Sequence, residues 1–174
     1  MTMSSRQRLC TALQKGTPDR LPVTTHHVMP SFLESTLDGV GTQEFFDRFG
    51  LDAIRWVVPH KPDEKKEEYY DPEQNEIGFL ESRRIVTGSW RVFSEPVPHD
   101  RYRTVRYRFV TPRGELSMVL QSDIHTSWVS EYLIKDKHEI DLIAEYATAP
   151  LCDVGSVNNE VKEFGDRGIV RGHI

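Results

Sequence analysis

Asp52-Ala53-Ile54-Arg55-Trp56-Val57-Val58 is the stretch on which the fold turns. Apart from Arg55 it is mostly apolar, β-branched or aromatic. That is the composition of a strand buried on both faces, as strands of parallel sheets are. Gly50 precedes it and closes a helix predicted over 42–49, whose Phe45, Phe46 and Phe49 share one side. Further back, Gly39 and Gly41 separate that helix from another at 31–37, with Pro30 suited to its first turn. Leu21-Pro22-Val23-Thr24-Thr25 reads as an earlier short strand that ends in His26-His27. At the start, Ser4 and Gln7 have capping-box spacing for a helix with Leu9, Ala12 and Leu13 on one face. Gly16 is the expected left-handed residue after that helix, and Pro18 stops its continuation.

Downstream the texture changes twice. Residues 59–78 mix Lys61, Lys65 and Lys66 with Asp63, Glu64, Glu67, Glu68, Asp71, Glu73 and Glu76, and read as a solvated loop or short exposed helix. From about 79 to 134 the pattern is β. Arg103, Val105, Tyr107 and Phe109 alternate with Thr104, Arg106 and Arg108, and Leu116, Met118 and Leu120 alternate after the turn Thr111-Pro112-Arg113-Gly114. An antiparallel hairpin or three-stranded meander is predicted there. Asp136 and Glu139 open a helix carrying Ile140, Leu142, Ile143, Tyr146 and Ala147. A short helix over 157–164 is closed by Gly165, and 168–174 begins a third strand of the parallel type. Strands alternating with helices define an α/β chain.

Composition narrows the function. The chain has 174 residues, with Lys plus Arg 22 against Asp plus Glu 27, a net charge of -5. A mildly acidic chain is a poor nucleic-acid binder. No apolar run approaches the ~20 residues that span a bilayer, and the N-terminus lacks the apolar segment of a secretory signal. Two cysteines, Cys10 and Cys152, are too few for a disulfide framework or a four-cysteine zinc site. A cytoplasmic protein acting on a small molecule fits these limits.

His26 and His27 are the sharpest candidate catalytic residues. Adjacent residues on a strand point to opposite faces, but past the strand end both can reach one pocket. As metal ligands or as general acid and base they would serve chemistry near neutral pH; as structural histidines they would hydrogen-bond backbone. His60 and Arg55 are candidate substrate-binding residues, and His173 stands in a similar position near the end of the chain. Arg55, in an apolar strand, must either bind a carboxylate or pair with a structural acid. Arg101, Arg103, Arg106 and Arg108 form a basic stripe that either guards an exposed strand face or meets an anion. Trp56, Trp90 and Trp128 read as core.

The words of the sequence go further. Arg6-Gln7-Arg8-Leu9-Cys10-Thr11-Ala12-Leu13, then Lys15-Gly16-Thr17-Pro18-Asp19-Arg20-Leu21-Pro22-Val23, resembles the opening of the uroporphyrinogen decarboxylase family, "R-x-R-x-x-x-A-L" followed by "G-x-x-P-D-R-x-P-V". Phe49-Gly50-Leu51-Asp52-Ala53 is similar to that family's lead into its second strand. Thr111-Pro112-Arg113-Gly114-Glu115-Leu116 is similar to the "T-P-x-G-x-L" hairpin of its methyltransferase-like branch, and Trp128 and Ile134-Lys135-Asp136 continue the match.

The resemblance implies the N-terminal portion of a (β/α)8 TIM barrel with an inserted antiparallel hairpin or meander. Barrel elements would occupy about 1–58 and 136–174, with 59–78 a charged loop. The site would lie at the C-terminal ends of the strands, at His26-His27, Pro59-His60 and from Gly172 onward. It implies a lyase of porphyrin metabolism, or a methyltransferase using zinc, a thiol and a corrinoid protein partner. No cofactor ligand is expected in this chain, because the branch's zinc ligands lie in the family's C-terminal half. A homodimer is a further expectation. The decarboxylases grip propionates with an arginine-rich segment after the first strand, but 24–31 holds no arginine, and no aspartate follows the second strand. Both departures argue against uroporphyrinogen itself. A closed barrel takes ~250 residues and eight strands. Three barrel-type strands are legible here, so the chain is expected to be the front of a longer enzyme, inactive alone. The alternative is a non-catalytic α+β binding domain complete at 174 residues.

Overall fold

The computed structural model describes residues 2–74 and 83–172. In chain order they form α1 (Ser5–Leu13), α2 (Pro30–Thr36), α3 (Thr42–Arg48), β1 (Ala53–Val57), β2 (His60–Lys61), β3 (Tyr69–Tyr70), β4 (Ile85–Val86), β5 (Arg91–Val97), β6 (Arg103–Thr111), β7 (Gly114–Ser122), β8 (Ser127–Glu131), α4 (Glu139–Tyr146), β9 (Leu151–Cys152), α5 (Val154–Phe164) and β10 (Gly168–Gly172). Two compact units result. One joins the residues up to Pro59 with those from Asp153 onward; the other is His60–Cys152. Glu76, the start of the predicted β-rich segment and His173 lie outside the described residues.

In the first unit, α1 begins as its sequence predicts. Ser4 Oγ accepts from the Gln7 N–H, and the Gln7 side chain accepts from the Ser4 N–H. Its end differs by one residue: Lys15, not Gly16, takes the left-handed conformation at φ 62°. Gly16 serves close approach instead, since a Cβ there would stand 2.9 Å from Thr11 Cγ2.

Arg8 is buried on α1 and donates from Nε to Asp19 at 2.7 Å and from Nη1 to Asp52 at 2.5 Å. Asp52 has no solvent exposure. It also meets Arg20 at 3.1 Å and accepts from the Val23 N–H at 2.9 Å, while its own N–H donates to the Val23 carbonyl. Charge-assisted bonds of this kind satisfy a carboxylate taken out of water. The residues that carry the family resemblance, Arg8, Asp19, Arg20 and Asp52, therefore pin the 19–23 segment beside the start of β1.

β10 runs parallel to β1, with Ala53 opposite Gly168 and Val57 opposite Gly172. Gly168 makes the approach possible, because a Cβ there would fall 1.9 Å from the Ala53 carbonyl oxygen. Phe46 of α3, Ala53 and Phe164 of α5 form the buried centre, with Phe45, Leu51 and Val170 packed on it.

The second unit is dominated by an antiparallel meander in the order β5-β6-β7-β8. It has one strand more than predicted, because Arg91–Val97 pairs along β6. Arg106 reaches Glu95 across the strands at 3.5 Å, and Arg108 meets Glu115 with two bonds of 2.6 Å. Two members of the basic stripe are thus taken up by cross-strand carboxylates, and because β6 is paired on both sides they guard no open edge. Trp90 is core as predicted, at 8% exposure. The charged stretch is more ordered than a solvated loop. Asp63, Glu68 and Asp71 are buried, Glu68 accepts from the Asp63 N–H, and Asp71 pairs with Arg84 at 2.9 Å.

The expected barrel portion is overturned. The described residues make four small sheets, mostly antiparallel, and no barrel closes among them. Among the described residues only β1 and β10 pair in parallel. The strand predicted over 21–25 does not form. Pro22 lacks an N–H to donate, Leu21 is 80% exposed, and the segment is held by the exchange between Val23 and Asp52 rather than by a ladder. The alternation that looked like an insertion forms the largest sheet among the described residues.

Candidate functional site

The site is built where the pinned 19–23 segment delivers the chain alongside β1, against Trp56. The backbone bends at His26 instead of continuing extended. Adjacent side chains therefore need not point apart, and both histidines line one cleft of about 310 Å³. Two bonds fix the bend. The Trp56 indole Nε1–H donates to the His26 carbonyl at 2.9 Å, and the Thr25 hydroxyl donates to the His27 carbonyl at 3.1 Å. Trp56 is on β1, where it was read as core; instead it underlies the histidines. Its ring stacks with His27 at 5.3 Å and meets the edge of His26 at 4.8 Å, and the two imidazoles are 4.3 Å apart. Gln43 and Phe46 of α3, Ile54 and Phe164 complete much of the wall.

Arg55 also lines the cleft, but its charge is committed. It pairs with Glu160 at 3.0 Å and Glu163 at 3.5 Å on α5, and its guanidinium lies 4.6 Å from the centre of the Phe164 ring. Of the two roles open to it, the structure supplies the structural pairing. His60 belongs to the second unit, exposed on β2 opposite Cys152, and does not line the cleft.

Arg171 escaped the sequence reading. It stands on β10 directly opposite Trp56, with its guanidinium 4.3 Å above the indole and Nη1 3.3 Å from His26 Nδ1. The signal was present: a lone arginine interrupts the second apolar parallel strand, as Arg55 does the first. Partial loss of solvent, then the neighbouring His27 and Arg171, hold the His26 imidazole below its ordinary pKa.

A zinc ion does not fit these side chains. Two imidazoles stand together, but a guanidinium faces Nδ1 of His26, and no group of three His, Cys, Asp or Glu able to hold a metal occurs among the described residues. The arrangement offers hydrogen bonding and proton transfer over an aromatic floor. None of the described helices is long and apolar enough to cross a membrane. Compared with family models, with curated proteins and with solved structures, the chain matches none.

Proposed function

We propose that the cleft binds a small carboxylate-bearing molecule and that its histidines move a proton on it, as part of a cytoplasmic enzyme of the uroporphyrinogen decarboxylase-like kind. The observation that carries this reading is the pair His26 and His27, packed on Trp56 and lining one cleft. At about 310 Å³ the cleft is at the small end for ligand sites, which supports an organic acid rather than a whole tetrapyrrole. The resemblance of Arg6–Val23 to that family supports a carboxylate substrate. Decarboxylation is preferred to methyl transfer because loss of CO2 leaves an electron pair on carbon that a positioned acid must protonate, and the His27 imidazole supplies that service while His26 hydrogen-bonds the substrate. The unpaired Cys10 and Cys152 support a reducing compartment.

Titration of the isotope-labelled 174-residue chain with succinate tests the binding. Saturable shifts of the His26 and His27 ring signals and of the Trp56 indole N–H are expected in the millimolar range, and the Trp56 shift is expected to be lost in His26→Ala/His27→Ala. Shifts that merely follow ionic strength would sink the proposal.

A further inference from the structure

One edge of His26 is already committed. A guanidinium carries five N–H donors, no acceptor, and does not lose its proton in proteins. With Arg171 Nη1 3.3 Å from His26 Nδ1, Nδ1 must present its lone pair. In a neutral imidazole the proton then sits on Nε2.

Arg171 is itself held in place. The parallel register sets it opposite Trp56, and its guanidinium rests 4.3 Å above that indole. The same indole donates to the His26 carbonyl, so ring and backbone of His26 are both fixed from one residue pair. No carboxylate among the described residues pairs with Arg171, whereas Arg55, the other arginine at the cleft, is held by Glu160 and Glu163. The charged or titratable groups acting on His26 are therefore His27 and Arg171.

We infer that Arg171 is a positioning residue that locks His26 as the Nε2–H tautomer, so that the cleft offers a hydrogen-bond donor and selects ligands presenting an acceptor oxygen, a carboxylate or a carbonyl. The ligand half rests on the function proposed above; the tautomer half stands without a ligand. While Arg171 holds Nδ1 and the proton is on Nε2, His26 is a donor and not a base. The same logic governs metal-bound histidines, whose second nitrogen fixes the first.

Long-range ¹H–¹⁵N spectra of the ligand-free full chain read the tautomer directly. Wild type is expected to show His26 protonated at Nε2. Arg171→Met is expected to give a tautomer mixture and a raised His26 titration midpoint. Arg171→Lys, which keeps a cationic donor, is expected to restore the Nε2–H form. An Nδ1–H form in wild type, or an unchanged tautomer in Arg171→Met, overturns the inference. Arg171 is exposed, and the Lys variant shows whether the fold tolerates change there.

Succinate binding then separates the two claims. Arg171→Met is expected to bind about fivefold more weakly, the worth of one ordinary hydrogen bond. If the tautomer responds but succinate does not bind wild type, the proposed function fails and the positioning role stands. If succinate binds but the tautomer ignores Arg171, the positioning role fails alone.

Discussion

Asp52 is shut off from solvent, and donors converge on it from Arg8, Arg20 and the Val23 N–H. Burial pushes its carboxyl up, but the Val23 and Arg8 hydrogen bonds outweigh burial and hold it below the usual carboxylate range. Asp19 is held low as well, first by Arg8 and then by the Met3 N–H. Replacing Asp52 by Asn leaves Arg20 without its countercharge and Arg8 with Asp19 as its remaining carboxylate. Asp52→Asn is expected to cost about 3 kcal/mol in urea denaturation. Because the folded carboxyls titrate below their unfolded values, the stability they contribute is complete above the unfolded range near ~4 and drains as pH falls through the folded values. Denaturation midpoints measured from pH 7 downward are expected to fall toward pH 3, more shallowly in Asp52→Asn. An equal pH slope in both proteins would remove Asp52 from the explanation.

At the scale of elements, β1 and β10 depend on one missing side chain. A Cβ at Gly168 would overlap the Ala53 carbonyl of the neighbouring strand, so the strands must part or the backbone must shift. Gly168→Ala is expected to destabilise the chain by roughly 2 kcal/mol, the usual cost of overpacking. Gly88, around which nothing stands within 4 Å, is the control: Gly88→Ala should change stability by less than about 0.5 kcal/mol. Comparable losses in the two variants would show that backbone freedom, not close approach, explains Gly168. Displacement of β10 would also displace Arg171, so Gly168→Ala is expected to shift His26 toward the tautomer mixture expected of Arg171→Met.

For the whole molecule, the division into two units makes a separable claim. The first unit is centred on Phe46, Ala53 and Phe164, whereas the meander has its own buried set in Val92, Leu116 and Val119. Units with separate buried centres open separately. Hydrogen exchange of Gly168→Ala is expected to show lost protection in β1, α5 and β10, with the amides of β6 and β7 unchanged. Uniform loss across both units would mean a single cooperative body.

Local chemistry was legible in the residues themselves. Ser4 with Gln7, Pro30, the alternation through β6 and β7 and the turn at Thr111–Gly114 each act over a few neighbours, and each formed as read. The extended reading of 21–25 failed because a strand needs partners, and Pro22 withholds a donor while Asp52 takes the Val23 N–H for a different purpose. For the same reason the barrel expectation failed: periodicity marks which residues can be strands, not which strands pair. The site divides in the same way. That His26 and His27 are adjacent and polar is written in the chain. That a bend turns both into one cleft, that Trp56 lies beneath them, and that Arg171 arrives from 145 residues away to face Nδ1 was decided only in three dimensions. Contacts made through β1 and β10 depend on register across a crossover, and register belongs to the packed core rather than to any segment of sequence.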